Sequence, residues 1–301
     1  MTVPTRLQPD QQPRQWDDHV AVYEAVFEPL TNAFARRALD RLALQPGDRL
    51  IDVGAGAGGA ALIAAELGAS VLAIDASPRM VARIQARAAA RPAAAGSVDA
   101  AVMDGMALGV PSASFDAAIS VFGVILFPDA ARGMQEIARA VKPGGRTAVV
   151  TWTETQRYEL MARLLAAVAL VRGPPPPPAS LPAQLRFCEA PAFRSLLNGA
   201  GLVVEDVVRL EEHWRLPSAR WIADRIAFAP GMAAMAGSLG ADHGQVLDAF
   251  VSALERDKGC GEIALTAVAH AAVAARPIHA TSDLDRISAG RSDEPTFGGS
   301  I

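Results

Sequence analysis

Short apolar runs alternate with amphipathic ones through the first half of the chain. Leu50, Ile51 and Val53 read as a buried strand, and Ala60 to Leu67 (AALIAAEL) as a helix that Gly68 ends. Ser70 to Ile74, Val98 to Met103, Phe115 to Val121 and Arg146 to Trp152 read as four further strands. Helices are predicted from Pro78 to Arg91 and from Asp129 to Val141, the latter with Met134, Ile137, Ala138 and Val141 inward. Lys142-Pro143-Gly144-Gly145 reads as a tight turn into the fifth strand. Five strand–helix alternations predict a parallel sheet covered on both faces.

The flanks break this rhythm. Residues 1–15 are polar and carry Pro4, Pro9 and Pro13, which predicts a flexible arm. Trp16, Val20, Tyr23 and Phe27 then recur at helical spacing, and Thr31 to Leu44 forms a better helix, ended by Gln45-Pro46-Gly47. Beyond Trp152, Tyr158 to Val171 reads as an apolar-rich helix, and Gly173 with Pro174 to Pro178 as a stiff spacer rather than a recognition motif. Ala190 to Ala200 is helical, Leu202 to Leu210 is a sixth strand, and 217–258 is a mostly helical insertion. Glu262 to Ala274 is alanine-rich and ambiguous by periodicity, and from Arg276 the tail is polar.

Composition narrows the class. The chain has 301 residues, is 51% hydrophobic and carries a net charge of -4, which suits a core-forming protein without a basic nucleic-acid surface. No apolar run reaches the roughly 18 residues of a membrane span, and the amino-terminal stretch lacks the apolar segment of a signal peptide. Cys188 and Cys260 have neither metal nor disulfide spacing. A cytoplasmic protein without a metal is the expectation.

The candidate chemistry lies in Arg49 to Gly59, RLIDVGAGAGG. Gly54, Gly56 and Gly58 sit on a strand-to-helix turn, where the backbone can take positive φ and a ligand can approach closely. The following helix offers unpaired N–H groups to an anionic group. Three acids, Asp52, Asp75 and Asp104, stand at the carboxyl ends of three consecutive strands, where sheets of this kind bind ligand. Asp75, 19 residues beyond Gly56, can accept both ribose hydroxyls of an adenosine, and Asp104 can read an adenine amine with Met106 over the ring. Gly54-x-Gly56-x-x-Gly59 also matches the dinucleotide fingerprint, so a nicotinamide cofactor is the rival expectation.

Taken together, LIDVGAGAGG (50–59), AIDASPRM (73–80), MDGMALGVPSASFDAAISVFGVILFPD (103–129) and VKPGGRTAVVTW (141–152) resemble the class I S-adenosylmethionine (AdoMet)-dependent methyltransferase superfamily. The likeness is to small-molecule enzymes of the ubiquinone/menaquinone-biosynthesis type, and it is specific over 45–152. Ala55 and Ala57 depart from the Cys and Thr common in that motif. The resemblance implies an α/β, doubly wound, Rossmann-like sheet of seven mostly parallel strands, with 262–274 as its antiparallel last strand. It divides the chain into an arm and cap helices (1–45), a cofactor-binding core (46–153), a lid insertion (154–200), the end of the sheet with a helical insertion (201–277) and a tail (278–301).

The same resemblance implies site residues. Gly54, Ala55 and Gly56 would pack against the methionine end of AdoMet, and Asp52 would hold its amine. Asp75 would take the ribose, with Ala76 or Met80 near the adenosine, and Asp104, Gly105 and Met106 would surround the adenine. Ser120 and Val121 would flank the methionine, and Tyr23 would close over it from an amino-terminal cap.

Methyl transfer asks mainly for alignment, with a general base only where the acceptor must lose a proton early. His19 and His213 are the catalytic candidates. Trp16, Phe122, Phe127 and Trp152, in apolar surroundings (VFGVILF), are expected at a hydrophobic or aromatic acceptor. The expected reaction is O-, N- or C-methylation of a small molecule in secondary metabolism. The alternatives are an NAD-dependent oxidoreductase or a non-methylating AdoMet-binding enzyme. The partner is the acceptor, and a homodimer is among the assemblies the sequence allows.

Overall fold

A computed structural model describes residues 7–91, 96–174 and 181–278. Most of the proline run, His279 and the rest of the tail lie outside the described residues.

Seven strands form one sheet: β1 (Arg49–Val53), β2 (Ser70–Asp75), β3 (Ser97–Val102), β4 (Phe115–Val121), β5 (Val141–Trp152), β6 (Val203–Leu216) and β7 (Ile263–Ala275). Their order is β3-β2-β1-β4-β5-β7-β6. The first five are parallel, and β7 runs antiparallel to both β5 and β6. β1 has β2 on one side and β4 on the other, so the chain order reverses there and a crevice opens beyond the carboxyl ends of β1 and β4.

The alanine-rich segment is a strand because β7 is interior to the sheet and covered on both faces. Val268 to Ala274 are all buried, which erases the alternation that periodicity would detect. At the edge, β6 alternates and extends to Leu216, beyond the expected end at Leu210. β6 and β7 therefore remain paired past Trp152, the last residue of β5. Tyr158 continues the sheet there through an isolated antiparallel bridge to Ala267. Lys142 to Gly145 is not a turn between elements but a bulge inside β5. Val141 pairs with Phe115 and Arg146 with Ala117, so four residues of β5 stand opposite Asp116 alone, three more than the register needs, and Gly144 takes φ 82°.

Helices α1 (Pro13–Trp16), α2 (Val20–Val26) and α3 (Glu28–Leu42) precede the sheet. α3 buries Leu30, Phe34 and Leu39 against it. α4 (Gly59–Glu66) follows the glycine turn and is buried nearly all round, while α5 (Pro78–Ala89) and α6 (Ala130–Ala140) are two-faced. The Ser77 hydroxyl accepts from Met80 N–H at 3.2 Å, and the Asp129 carboxylate accepts from Arg132 N–H at 2.9 Å, which fixes where α5 and α6 start. Then come α7 (Glu159–Arg172), α8 (Ala190–Gly199), α9 (Ala219–Ala223), α10 (Pro230–Ser238) and α11 (His243–Lys258).

The expected flexible arm is docked over its described part. Asp10 accepts from Gly231 N–H of α10 at 2.7 Å, and Gln8 accepts from Ala183 N–H at 2.8 Å. Trp16 Nε1–H donates to the Asp10 carbonyl at 3.0 Å. Polar side chains that sequence composition assigns to solvent here satisfy backbone groups of two distant segments.

Candidate functional site

The turn after β1 is held open by backbone geometry. Gly54, Gly56 and Gly58 take φ of 74°, 56° and 90°, and the N–H groups of Gly54 and Ala55 both donate to the Ile74 carbonyl at 3.0 and 2.9 Å. The loop after β4 comes close to it. A Cβ on Gly123 would lie 2.8 Å from the Val53 carbonyl oxygen, so only glycine fits. Ser120 staples the same junction, donating to the Val53 carbonyl at 2.7 Å and accepting from Val124 N–H at 3.0 Å.

Asp52 is the last residue but one of β1 and lines a pocket beside this turn. It is 1% exposed, and its Oδ2 is buried without a hydrogen-bond partner. Burial, reinforced by the nearby Asp75 charge and partly offset by the Ala61 N–H, pushes its carboxyl up to about 7. Asp75 keeps some exposed surface. Its two oxygens accept from Gly56 N–H and Ser77 N–H, each at 2.9 Å. These bonds favour the ionised form, yet burial still pushes it up to about 6.

Above the glycines lies the amino-terminal cap. The Tyr23 hydroxyl would be 3.3 Å from a Cβ on Gly56, which puts this ring directly over the turn. Tyr23, Glu28, Thr31, Asn32, Asp52, Gly54, Ala55 and Val121 line a pocket between cap and turn. Ion pairs hold the cap down. Glu28, 4% exposed, accepts from Arg87 of α5 at 2.7 Å, and Arg87 also donates to the Ala57 carbonyl of the turn at 2.8 Å. Glu24 accepts twice from Arg83 at 2.6 Å, and Asp17 accepts from the Ser77 hydroxyl at 2.6 Å.

The expected site residues fall into two groups. Tyr23, Asp52, Gly54, Ala55 and Val121 line the pocket, with Gly56 under the Tyr23 ring and Asp75 bonded to the turn beside them. Asp104 is exposed and accepts from Met106 N–H at 2.8 Å, at the end of the neighbouring strand.

Others are taken up by packing. Met80 is 2% exposed in the core face of α5, three residues beyond Ser77 at the end of the β2 loop. Ser120 is saturated by backbone partners and has no free donor for a ligand. Gly105 is glycine because a Cβ would collide with the Phe127 ring, which also fills the space a Cβ would need at Gly133. Phe127 is thereby packed against both glycines. Trp16 packs edge to face on Tyr23 at 5.8 Å and belongs to the cap.

Neither histidine candidate lines the pocket. His213 is exposed and lies next to Trp214 on β6, so it points to the opposite face of the sheet. The His19 ring is bonded through Nδ1 to the Gln15 carbonyl at 2.7 Å, outside the pocket wall. Sequence reasoning missed Glu28, Thr31 and Asn32, which reach the pocket from α3. Their only trace in the sequence is a polar patch within an otherwise apolar helical face. Among the described residues no group of three or more His, Cys, Asp or Glu could hold a metal ion, and no helix is long and apolar enough to cross a membrane.

Residues 51–149 match the family model described as a methyltransferase domain. An uncharacterized protein of Mycobacterium tuberculosis is 35% identical over 136 residues, 45% of this chain and 47% of the relative. The demethylmenaquinone methyltransferase of Corynebacterium efficiens is 34% identical over 143 residues, 45% of this chain and 58% of the relative. Among solved structures, the [4+2]-cyclase SpnF superposes with TM-score 0.56 at 21% identity, covering 92% of this chain and 99% of that one. The chain spans about half the length of the curated relatives it matches.

Residues 51–149 thus match a methyltransferase domain, and the seven-stranded sheet built around them has the fold of that solved structure. The cofactor of such a domain is AdoMet, and the residues present fit it. The unpartnered, buried Oδ2 of Asp52 suits an ammonium group, and Asp52 shares its pocket with the turn residues Gly54 and Ala55.

Proposed function

We propose that this protein transfers a methyl group from AdoMet to a small, hydrophobic or aromatic acceptor. The observation that carries the reading is Asp52, a buried carboxylate with an unpartnered oxygen facing a glycine turn inside a methyltransferase domain. When bound, AdoMet supplies an activated methyl group on a sulfonium that departs as a neutral thioether.

The chain's own residues bind and align. Asp52 would take the amine, Gly54 and Ala55 the methionine backbone, and Asp75 the ribose hydroxyls, exchanging part of its bonding to Gly56 and Ser77. Tyr23 and the ion-paired cap would exclude water. Little else is needed, because a displacement at an activated carbon gains mostly from proximity and orientation. The segments 154–200 and 217–258 would shape the acceptor side as lids. The relative acting on demethylmenaquinone supports a quinol-like acceptor, and the apolar surroundings of Trp152 agree with it.

The test is calorimetric titration of the wild type and Asp75→Ala with AdoMet, S-adenosylhomocysteine and NADH. Micromolar binding of the first two, lost in the variant, is expected. Binding of NADH alone would overturn the assignment in favour of a dinucleotide enzyme. AdoMet binding with no S-adenosylhomocysteine formed from any phenol or quinol would favour a non-methylating enzyme on this fold.

A further inference from the structure

Beyond the carboxyl ends of β4 and β5 lies a cluster of aromatic rings. Trp152 is stacked between Phe122 and Tyr158, at centroid distances of 4.0 and 4.9 Å. Trp214 and Phe228 meet edge to face at 6.1 Å. Phe27 joins the two groups, 6.0 Å from Trp152, 6.5 Å from Tyr158 and 6.0 Å from Trp214, and stacked on Phe228 at 5.0 Å.

The sheet register explains why these rings converge. Trp152 pairs with Ala269, Tyr158 bridges to Ala267, and Trp214 pairs with Leu265. Positions 265, 267 and 269 are alternate residues of β7, so all three aromatic partners project from one face. That is the face where the cap sits, and Tyr23 lies 5.9 Å from Phe27, between it and the glycine turn.

Two polar atoms in this apolar cluster have no partner. Trp214 Nε1 and the Tyr158 hydroxyl are both buried without a hydrogen bond, and Trp214 is only 3% exposed. Leaving such a group unpaired costs about 1–3 kcal/mol, so two of them around one ring, Phe27, call for a function. Phe27 has no heteroatom to offer them. It occupies the junction between α2 and α3, where the cap turns back toward the sheet.

We propose that Trp152, Tyr158, Trp214 and Phe228 form the acceptor site, and that Phe27 fills it in the conformation of the structure. The ligand is a planar aromatic or quinonoid ring whose oxygens accept hydrogen bonds from Trp214 Nε1–H and the Tyr158 hydroxyl. The assignment rests on the methyltransferase reading for the word acceptor, but not for the recognition itself. A ring of this kind displaces the Phe27 ring and replaces its stacking on Phe228. It also supplies the two missing acceptor atoms. A hydrocarbon of the same shape gains the stacking and leaves both donors unpaired, which is how a built polar site rejects an analogue.

The test uses 2,3-dimethyl-1,4-naphthoquinone, whose blocked ring positions resist thiol addition, against 2,3-dimethylnaphthalene. Equilibrium dialysis measures both with wild type, Tyr158→Phe, Trp214→Phe and Phe27→Ala. The wild type should prefer the quinone, and each of the first two variants should lower that preference at least fivefold with the hydrocarbon's affinity unchanged. Phe27→Ala should bind both rings more tightly. Melting temperatures of Tyr158→Phe should not fall, since an unpaired group is removed. A quinone preference that survives both donor substitutions, or is missing in the wild type, would overturn the proposal. AdoMet titrations on the same samples keep the two readings apart. Loss of donor binding with the quinone preference intact would remove the methyltransferase reading and leave the ring site standing.

Discussion

A carboxylate that keeps its proton up to about pH 7 makes Asp52 a pH-sensitive element of the site. Its ordinary value is 3.8, so between there and about 7 the folded protein holds a proton that the unfolded chain has released. Stability from this group is therefore present at low pH and lost as pH rises through that window. Asp75, pushed up to about 6, adds in the same direction. Urea midpoints for the wild type should fall from about pH 4.5 to about pH 7.5, and Asp52→Asn should flatten part of that slope. AdoMet binding should show the opposite trend. An ammonium prefers the ionised carboxylate, so its affinity should rise across the same range, until the ligand's α-amino group begins to deprotonate near roughly 7.7–8.0. A pH-independent affinity measured by calorimetry would remove Asp52 from the amine. A second residue-scale prediction concerns Gly123→Ala. Its Cβ would press on the Val53 and Gly54 carbonyl oxygens, both backbone atoms that cannot yield cheaply. Equilibrium unfolding should show a loss of about 1–3 kcal/mol.

At the scale of elements, the cap is coupled to the glycine turn by one arginine. Arg87 bridges Glu28 on α3 and the Ala57 carbonyl, so α5, the cap and the turn are tied at one point. Glu28→Ala leaves Arg87 without its buried partner. Loss of a fully buried pair costs about 3–5 kcal/mol; Arg87 keeps a fifth of its side chain in solvent, so about 2 kcal/mol is expected by urea unfolding. AdoMet affinity should also drop several-fold, because the pocket wall is no longer fixed.

How much of this was legible depends on what each element packs against. β1, β2, β4 and β5 declared themselves by the apolar runs that a covered strand demands, whereas β3 is an edge strand with no buried residue and was legible from its place between a helix and Asp104. The turn glycines and Asp75 could be placed because a strand, a turn and a helix must follow in that order. β6 was read too short, since Glu211, Glu212 and His213 look like a loop until Trp214 and Leu216 resume the alternation. Glu28 and Asn32 were invisible as site residues. Their role depends on how α3 is laid against a turn that lies later in the chain. The docked arm was missed for the same reason, as no pattern within 7–16 foretells bonds to Ala183 and Gly231.

For the whole molecule, ligand binding should appear as a gain in stability. A ligand that binds only the folded state at 100 times its dissociation constant adds about 2.7 kcal/mol. For a chain of 301 residues that corresponds to a rise in melting temperature of roughly 4 °C. Thermal scans with AdoMet or S-adenosylhomocysteine should show it, and NADH should not. Asp75→Ala should abolish the shift.

The aromatic cluster is drawn from strands and helices that mostly lie outside the segment matched as a methyltransferase domain, which stops at residue 149, just before Trp152. Tyr158, Trp214 and Phe228 all come later in the chain, and Phe27 comes earlier. The glycine turn with its acids and most of the proposed ring site are thus written in separate stretches of the gene. Selection can rewrite the second without disturbing the first, so the chemistry can be inherited while the clientele changes.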